Sequence, residues 1–135
     1  MSEPSQPREE TIPEESPFKG KTGATRLLNA LGYSLQGMIS AFRHEEAFRQ
    51  EVLLAVVLIP AAFFISVGGT ARAMMVASVL LVLVVELLNS AVEAAVDRIS
   101  LENHRLAKRA KDIGSAAVFL SLVNVAVVWL LVLFG

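Results

Sequence analysis

From Gly114 to Phe134 the sequence runs for 21 residues without a charged side chain. A hydrocarbon core about 30 Å thick takes about 20 residues of helix to cross. Hydrocarbon offers an unpaired backbone N–H or C=O no partner, so a crossing segment of this length must be helical. Two further apolar blocks precede it. One begins near Glu51 and runs through VLLAVVLIPAAFFISV to Val67, with Pro60 as a candidate kink. The other starts at Ala73 and reaches Asp97, and GGTAR at 68–72 is the turn between them. With 54% of its 135 residues hydrophobic, the chain is far more apolar than a soluble domain of this size requires. The expected class is all-α integral membrane, in one domain over 23–135, with spans about 51–67, 73–97 and 114–134.

The flanking segments are polar. Residues 1–17, MSEPSQPREETIPEESP, hold four of the five prolines and five of the thirteen acids. Such a stretch cannot bury enough surface to offset its ordering entropy, so residues 1–22 are expected to be a disordered, dispensable tail. Its acidic, polar start also argues against a cleavable signal peptide. GKT at 20–22 is not a phosphate-binding loop, because that motif needs a glycine where Glu15 stands and an apolar strand before it. The absence of cysteine excludes disulfides and thiolate metal sites. The net charge of -1 gives no indication of a nucleic-acid partner.

TRLLNALGYSLQGMISAFR, 25–43, is amphipathic: Leu27, Leu28, Leu31, Leu35, Met38, Ile39 and Phe42 fall within an arc of about 120°. Arg26, Asn29 and Tyr33 gather on the other side. Beside membrane spans, this pattern predicts a helix lying in the interface, with packing on another protein surface as the alternative. Six basic residues precede the first span and five lie between spans two and three, whereas Arg72 alone occupies the first loop. The positive-inside rule then puts the N-terminus in the cytoplasm and the C-terminus outside. Trp129, near the far end of the third span, suits an interface, and Ser121 and Asn124 within it are expected to hydrogen-bond a neighbouring helix.

The second block raises a chemical question. Its uncharged part, Ala73 to Val85, is 13 residues, too short to cross, and it continues as ELLNSAVEAAVDR. The span must therefore absorb acids. Each acid at the centre of a bilayer costs about 2.5–3.5 kcal/mol on insertion scales. With Glu86 at zero on a helical wheel, Asn89 falls at about −60°, Ser90 at about +40°, Glu93 at about −20° and Asp97 at about +20°. The acids thus form one stripe. Counting from Ala73, Glu93 and Asp97 reach the water edge and Glu86 lies roughly 10 Å inside. Asp97 at that edge is equally readable as an anchor; Glu86 is not. A carboxylate just below the interface matches the depth of a lipid head-group hydroxyl. A second one at the edge suits a divalent cation on an arriving polyphosphate, since magnesium needs only one or two carboxylates. Phosphoryl transfer asks for positioning, charge neutralisation and a group that takes the hydroxyl proton. Spacing alone leaves a proton-coupled carrier open, because such carriers also use an intramembrane Glu.

ELLNSAVEAAVDR (86–98), AKDIGSAAV (110–118) and EEAFRQE (45–51) resemble the prokaryotic diacylglycerol kinase family, in motif and in spacing, from about Gly23 to Phe134. The resemblance implies a homotrimer in the bacterial inner membrane, with three spans and a surface helix per subunit. It would move the γ-phosphate of ATP to diacylglycerol, giving phosphatidic acid, with Mg2+ as cofactor. Glu86 would be the catalytic base, also touching the lipid substrate, with Asn89 orienting groups beside it. Glu45 and Glu93 would hold the metal on the nucleotide. Arg26, Tyr33, Glu102, Asn103, His104, Lys111 and Asp112 would meet the nucleotide, and Ser115 would lie near the lipid.

Plainer readings stand beside these. Glu45 reads equally as a solvated cap, Tyr33 as an interfacial anchor, His104 as a loop histidine, and Lys111 and Asp112 as anchors of the third span. Undecaprenol is the rival acceptor within the same fold. From other classes, the rivals are a small proton-coupled transporter subunit and a non-catalytic membrane interaction protein.

Overall fold

The computed structural model describes residues 22–99 and 104–135. The tail expected to be disordered lies outside the described residues except for Thr22. Four helices account for nearly all of them, with no strand among the described residues: α1 (Gly23–His44), α2 (Glu46–Phe64), α3 (Gly69–Ile99) and α4 (His104–Phe134). The last three are long and apolar enough to cross a membrane.

Helix boundaries and hydropathy boundaries differ. α2 starts at Glu46, ahead of the apolar run, so most of EEAFRQE is helical. Glu45 alone interrupts the chain between α1 and α2, in extended backbone (φ -113, ψ 110) and without a side-chain capping bond. Arg49 closes the junction by donating to the carbonyls of Phe42 (2.9 Å) and Arg43 (3.1 Å), both left open at the end of α1. At the other end of the chain, α4 begins at His104, so the basic connector is helix from there on. Lys108 and Asp112, an i,i+4 pair at 2.6 Å, span one turn of it.

The chain falls into two compact units, one ending at Leu35 and one running from Gln36 to Gly135. In the first, Leu27, Leu28, Leu31 and Leu35 are exposed; in the second, Met38, Ile39 and Phe42 are exposed, and no residue of α1 is buried.

Residues 65–68 join α2 to α3, and so short a link makes them antiparallel neighbours. Arg72, in the first turn of α3, fastens that corner. It donates to the carbonyls of Ala62 (3.0 Å), Ile65 (3.2 Å) and Val67 (3.3 Å), and its guanidinium stands 5.8 Å from the centre of the Phe63 ring. The sole basic residue of the first loop thus serves backbone acceptors in the last turn of α2 and in the link that follows it.

α3 and α4 are also antiparallel. The Trp129 indole donates to the Met75 carbonyl at 3.3 Å, Gly114 meets Asn89, and Lys111 pairs with Asp97, in reverse order along the two helices. Trp129 therefore faces α3, packing on a core of Ala55, Val79, Val82 and Val125. Ser121, expected to bond a neighbouring helix, instead donates to Val118 in its own helix at 2.7 Å. A hydroxyl without a polar group opposite takes the nearest carbonyl of the preceding turn. Ser78 does the same with Met75.

On α3 the buried residues Met75, Val79, Val82 and Glu86 follow at intervals of four, three and four. They form one helical face. Glu86 thus continues the core stripe of the helix.

Arg72→Ala removes the guanidinium from three carbonyls at the α2–α3 corner, of which Ile65 keeps the Val67 N–H as donor. A loss of about 1–3 kcal/mol is expected, read as a lower thermal unfolding midpoint in detergent. An unchanged midpoint would show that the corner does not depend on the guanidinium.

Candidate active site

The polar residues of the site come from the same helical period that packs the core. One turn beyond Val82 the face of α3 that meets its neighbours turns from apolar to polar, at Glu86. Exposure then grows along the stripe: Glu86 is 4% exposed, Asn89, Ser90 and Glu93 are half-buried, and Asp97 is open to solvent.

α2 supplies a second acid. Glu51 is 9% exposed, and its carboxyl lies within hydrogen-bonding reach of that of Glu86. Glu93 and Glu45 are the further charges that bear on Glu86. Carboxyl groups from α2, α3 and the extended residue before α2 therefore converge. α4 contributes Lys111, whose Nζ lies 2.5 Å from Asp97 and whose charge also reaches Glu93. It contributes Gly114 as well, where a Cβ would run into the amide oxygen of Asn89 and stand 3.3 Å from its Cγ. Only a residue without a side chain allows Asn89 to lie flat against α4 here.

Among the described residues, three buried side-chain oxygens have no hydrogen-bond partner: Glu51 Oε2, Asn89 Oδ1 and Ser90 Oγ. Each such group costs about 1–3 kcal/mol. All three belong to residues beside Glu86 in sequence or in space. Buried polar atoms left open in one place are what a site that receives polar substrate atoms presents.

Among the described residues no three of His, Asp and Glu form a ready metal cluster. Glu45 and Glu93, both half-buried, nevertheless put two carboxylates near a third, that of Glu86. That donor set fits a hard divalent ion arriving with phosphate oxygens, since such an ion takes one or two carboxylates and completes its shell with phosphate and water.

The structure brings together Glu45, Glu86, Asn89 and Glu93 from the residues singled out in the sequence. Lys111 joins them through Asp97. Asp112 does not; it pairs with Lys108 on an exposed face of α4, beside a groove of about 430 Å³ that Arg105 and Arg109 also line. His104 and Ser115 are exposed. Arg26 and Tyr33 belong to the unit ending at Leu35 and are exposed there. Glu102 and Asn103 lie outside the described residues. Sequence reasoning misses Glu51 as a site residue, although it closes the EEAFRQE motif, and Ser90, although it falls inside the polar arc. For Gly114 no signal exists in one sequence, because the register of α3 against α4 decides it.

The sequence profile of the prokaryotic diacylglycerol kinase family matches residues 32–133. A Pseudomonas aeruginosa protein named diacylglycerol kinase is 61% identical over 120 residues, which cover 89% of this chain and 98% of that relative. A Haemophilus influenzae protein of the same name is 55% identical over 108 residues, covering 80% and 92% of the two chains. One from Escherichia coli strain K12 is 47% identical over 117 residues, covering 84% and 93%.

Gly114→Ala forces the Asn89 amide off α4. Turnover is expected to fall about 10- to 100-fold, the scale on which misplacement of a positioning group acts. Gly114→Ala should also lower the thermal midpoint, and the same change made in an Asn89→Ala background should not. Full turnover in Gly114→Ala would show that the amide has no fixed place.

Proposed function

This chain belongs to the prokaryotic diacylglycerol kinase family and is a membrane-embedded lipid kinase; we propose that it transfers the γ-phosphate of ATP to the free hydroxyl of diacylglycerol, giving phosphatidic acid. One observation carries the reading: Glu86 is buried on the core face of α3, with carboxyl groups around it and an open row of polar side chains leading to solvent.

A lipid hydroxyl sits just below the interface, at the depth assigned to Glu86. Glu86 accepts its proton as the oxygen attacks the γ-phosphorus, and the bond from phosphorus to the bridging oxygen of ADP breaks in line. Asn89, held against Gly114, offers an amide beside the base to orient the reacting groups. Glu45 and Glu93 would hold the magnesium that accompanies the nucleotide, and that ion would supply positive charge to its phosphates. Lys111 adds a cation at the same edge. Arg26, Tyr33, Glu102, Asn103, His104 and Asp112 contact the nucleotide, and Ser115 lies near the lipid.

The distribution of basic residues supports an N-terminus in the cytoplasm and a C-terminus in the periplasm of an inner membrane, which brings the acidic stripe to the compartment that holds ATP. An oligomer is supported by size, and the family resemblance makes it a homotrimer. Three spans enclose too little volume for a nucleotide and a lipid together, and neighbouring copies would shield the stripe from acyl chains.

Purified protein with labelled ATP should phosphorylate diacylglycerol in preference to undecaprenol; the reverse preference would move the acceptor to polyprenol. Glu86→Gln should lower turnover about 10²- to 10⁴-fold, the usual contribution of a positioned base, while ATP still binds. Glu45→Gln and Glu93→Gln should instead raise KM for the magnesium nucleotide. Near-parental turnover in Glu86→Gln would remove the base assignment.

A further inference from the structure

One buried acid has no part in the mechanism above. Glu51 sits early in α2, nine-tenths buried, with its carboxyl in hydrogen-bonding reach of Glu86 and its Oε2 unpartnered. Among the described residues, Arg49, two positions before Glu51, serves the carbonyls of Phe42 and Arg43, and Lys111 serves the Asp97 carboxylate. The charges that face Glu86 from its own helix and from the chain before α2, Glu93 and Glu45, are negative.

Two carboxyl groups at this separation, away from water, cannot both be ionised; one proton between them turns a repulsion into a short O–H···O⁻ bond. The orphan oxygen indicates which group keeps that proton. An ionised Glu51 would bury a charge whose Oε2 receives no hydrogen bond, whereas the neutral acid buries no charge.

We propose that Glu51 is the positioning residue of this site: as the neutral acid it donates a hydrogen bond to one oxygen of the Glu86 carboxylate and leaves the other to receive the proton of the acceptor hydroxyl. This rests on Glu86 being the base. During transfer the hydroxyl O–H bond breaks and its proton goes to Glu86. The alkoxide oxygen forms the new bond to phosphorus, and the electron pair of the broken P–O bond leaves on ADP. Glu51 keeps its own proton throughout.

The test compares Glu51→Gln with Glu51→Leu in the full-length protein. An amide N–H can replace the acid O–H as donor, so Glu51→Gln should retain turnover within about tenfold of the parent, and Glu51→Leu should lose about 100-fold or more. The loss should fall on kcat, with KM for the magnesium nucleotide within about twofold. Glu51→Leu should unfold no earlier than the parent in detergent, since a well-packed apolar side chain replaces a buried polar one. Added to Glu86→Gln, it should cause no further loss. Parental kcat in Glu51→Leu, or Glu51→Gln as inactive as Glu51→Leu, would overturn the inference while an inactive Glu86→Gln left the base in place. An active Glu86→Gln would overturn the base itself.

Discussion

The molecule depends on one arrangement: acids buried on the face of a helix that also forms the core. α3 packs through Met75, Val79 and Val82, and the next member of the same series is Glu86. Desolvation makes a lone carboxylate at that position costly. The neighbourhood is accordingly built around it, with Glu51 from α2, the amide of Asn89 pressed on Gly114, and Glu93 a further two turns toward solvent. Packing holds the acids in place because they occupy core positions. Their chemistry is available because the same face opens toward water as the helix continues.

Much of this was legible in the residues. A helical period of 3.6 and a rise of about 1.5 Å per residue sufficed to place Glu86, Asn89 and Glu93 on one stripe and at graded depth. Those are properties of a single helix. The existence of three long apolar helices and an amphipathic one followed from length and pattern alone. What escaped belongs to pairs of helices. Glu51 looked like the first residue of a span because hydropathy starts there, but helix α2 starts at Glu46, and its rotation turns Glu51 toward α3. The Gly114–Asn89 contact depends on register between α3 and α4, which no pattern within either helix encodes. Ser121 bonds its own backbone and not a neighbouring helix, since a serine hydroxyl within a helix always has a carbonyl of the preceding turn in reach.

Arg72 illustrates the same limit from the other side. Its isolation in the first loop is informative for charge counting, yet its geometric role, three carbonyls at a helix end, is visible only when α2 and α3 are placed together. A residue that looks like a stray charge in the sequence is a structural fastener.

The contacts between α3 and α4 constrain motion. Trp129 on Met75, Gly114 on Asn89 and Lys111 on Asp97 are spread over about 33 Å of α3 at its rise per residue. A seam held at both ends and in the middle resists a slip by one residue, because a slip would bring a Cβ against the Asn89 amide.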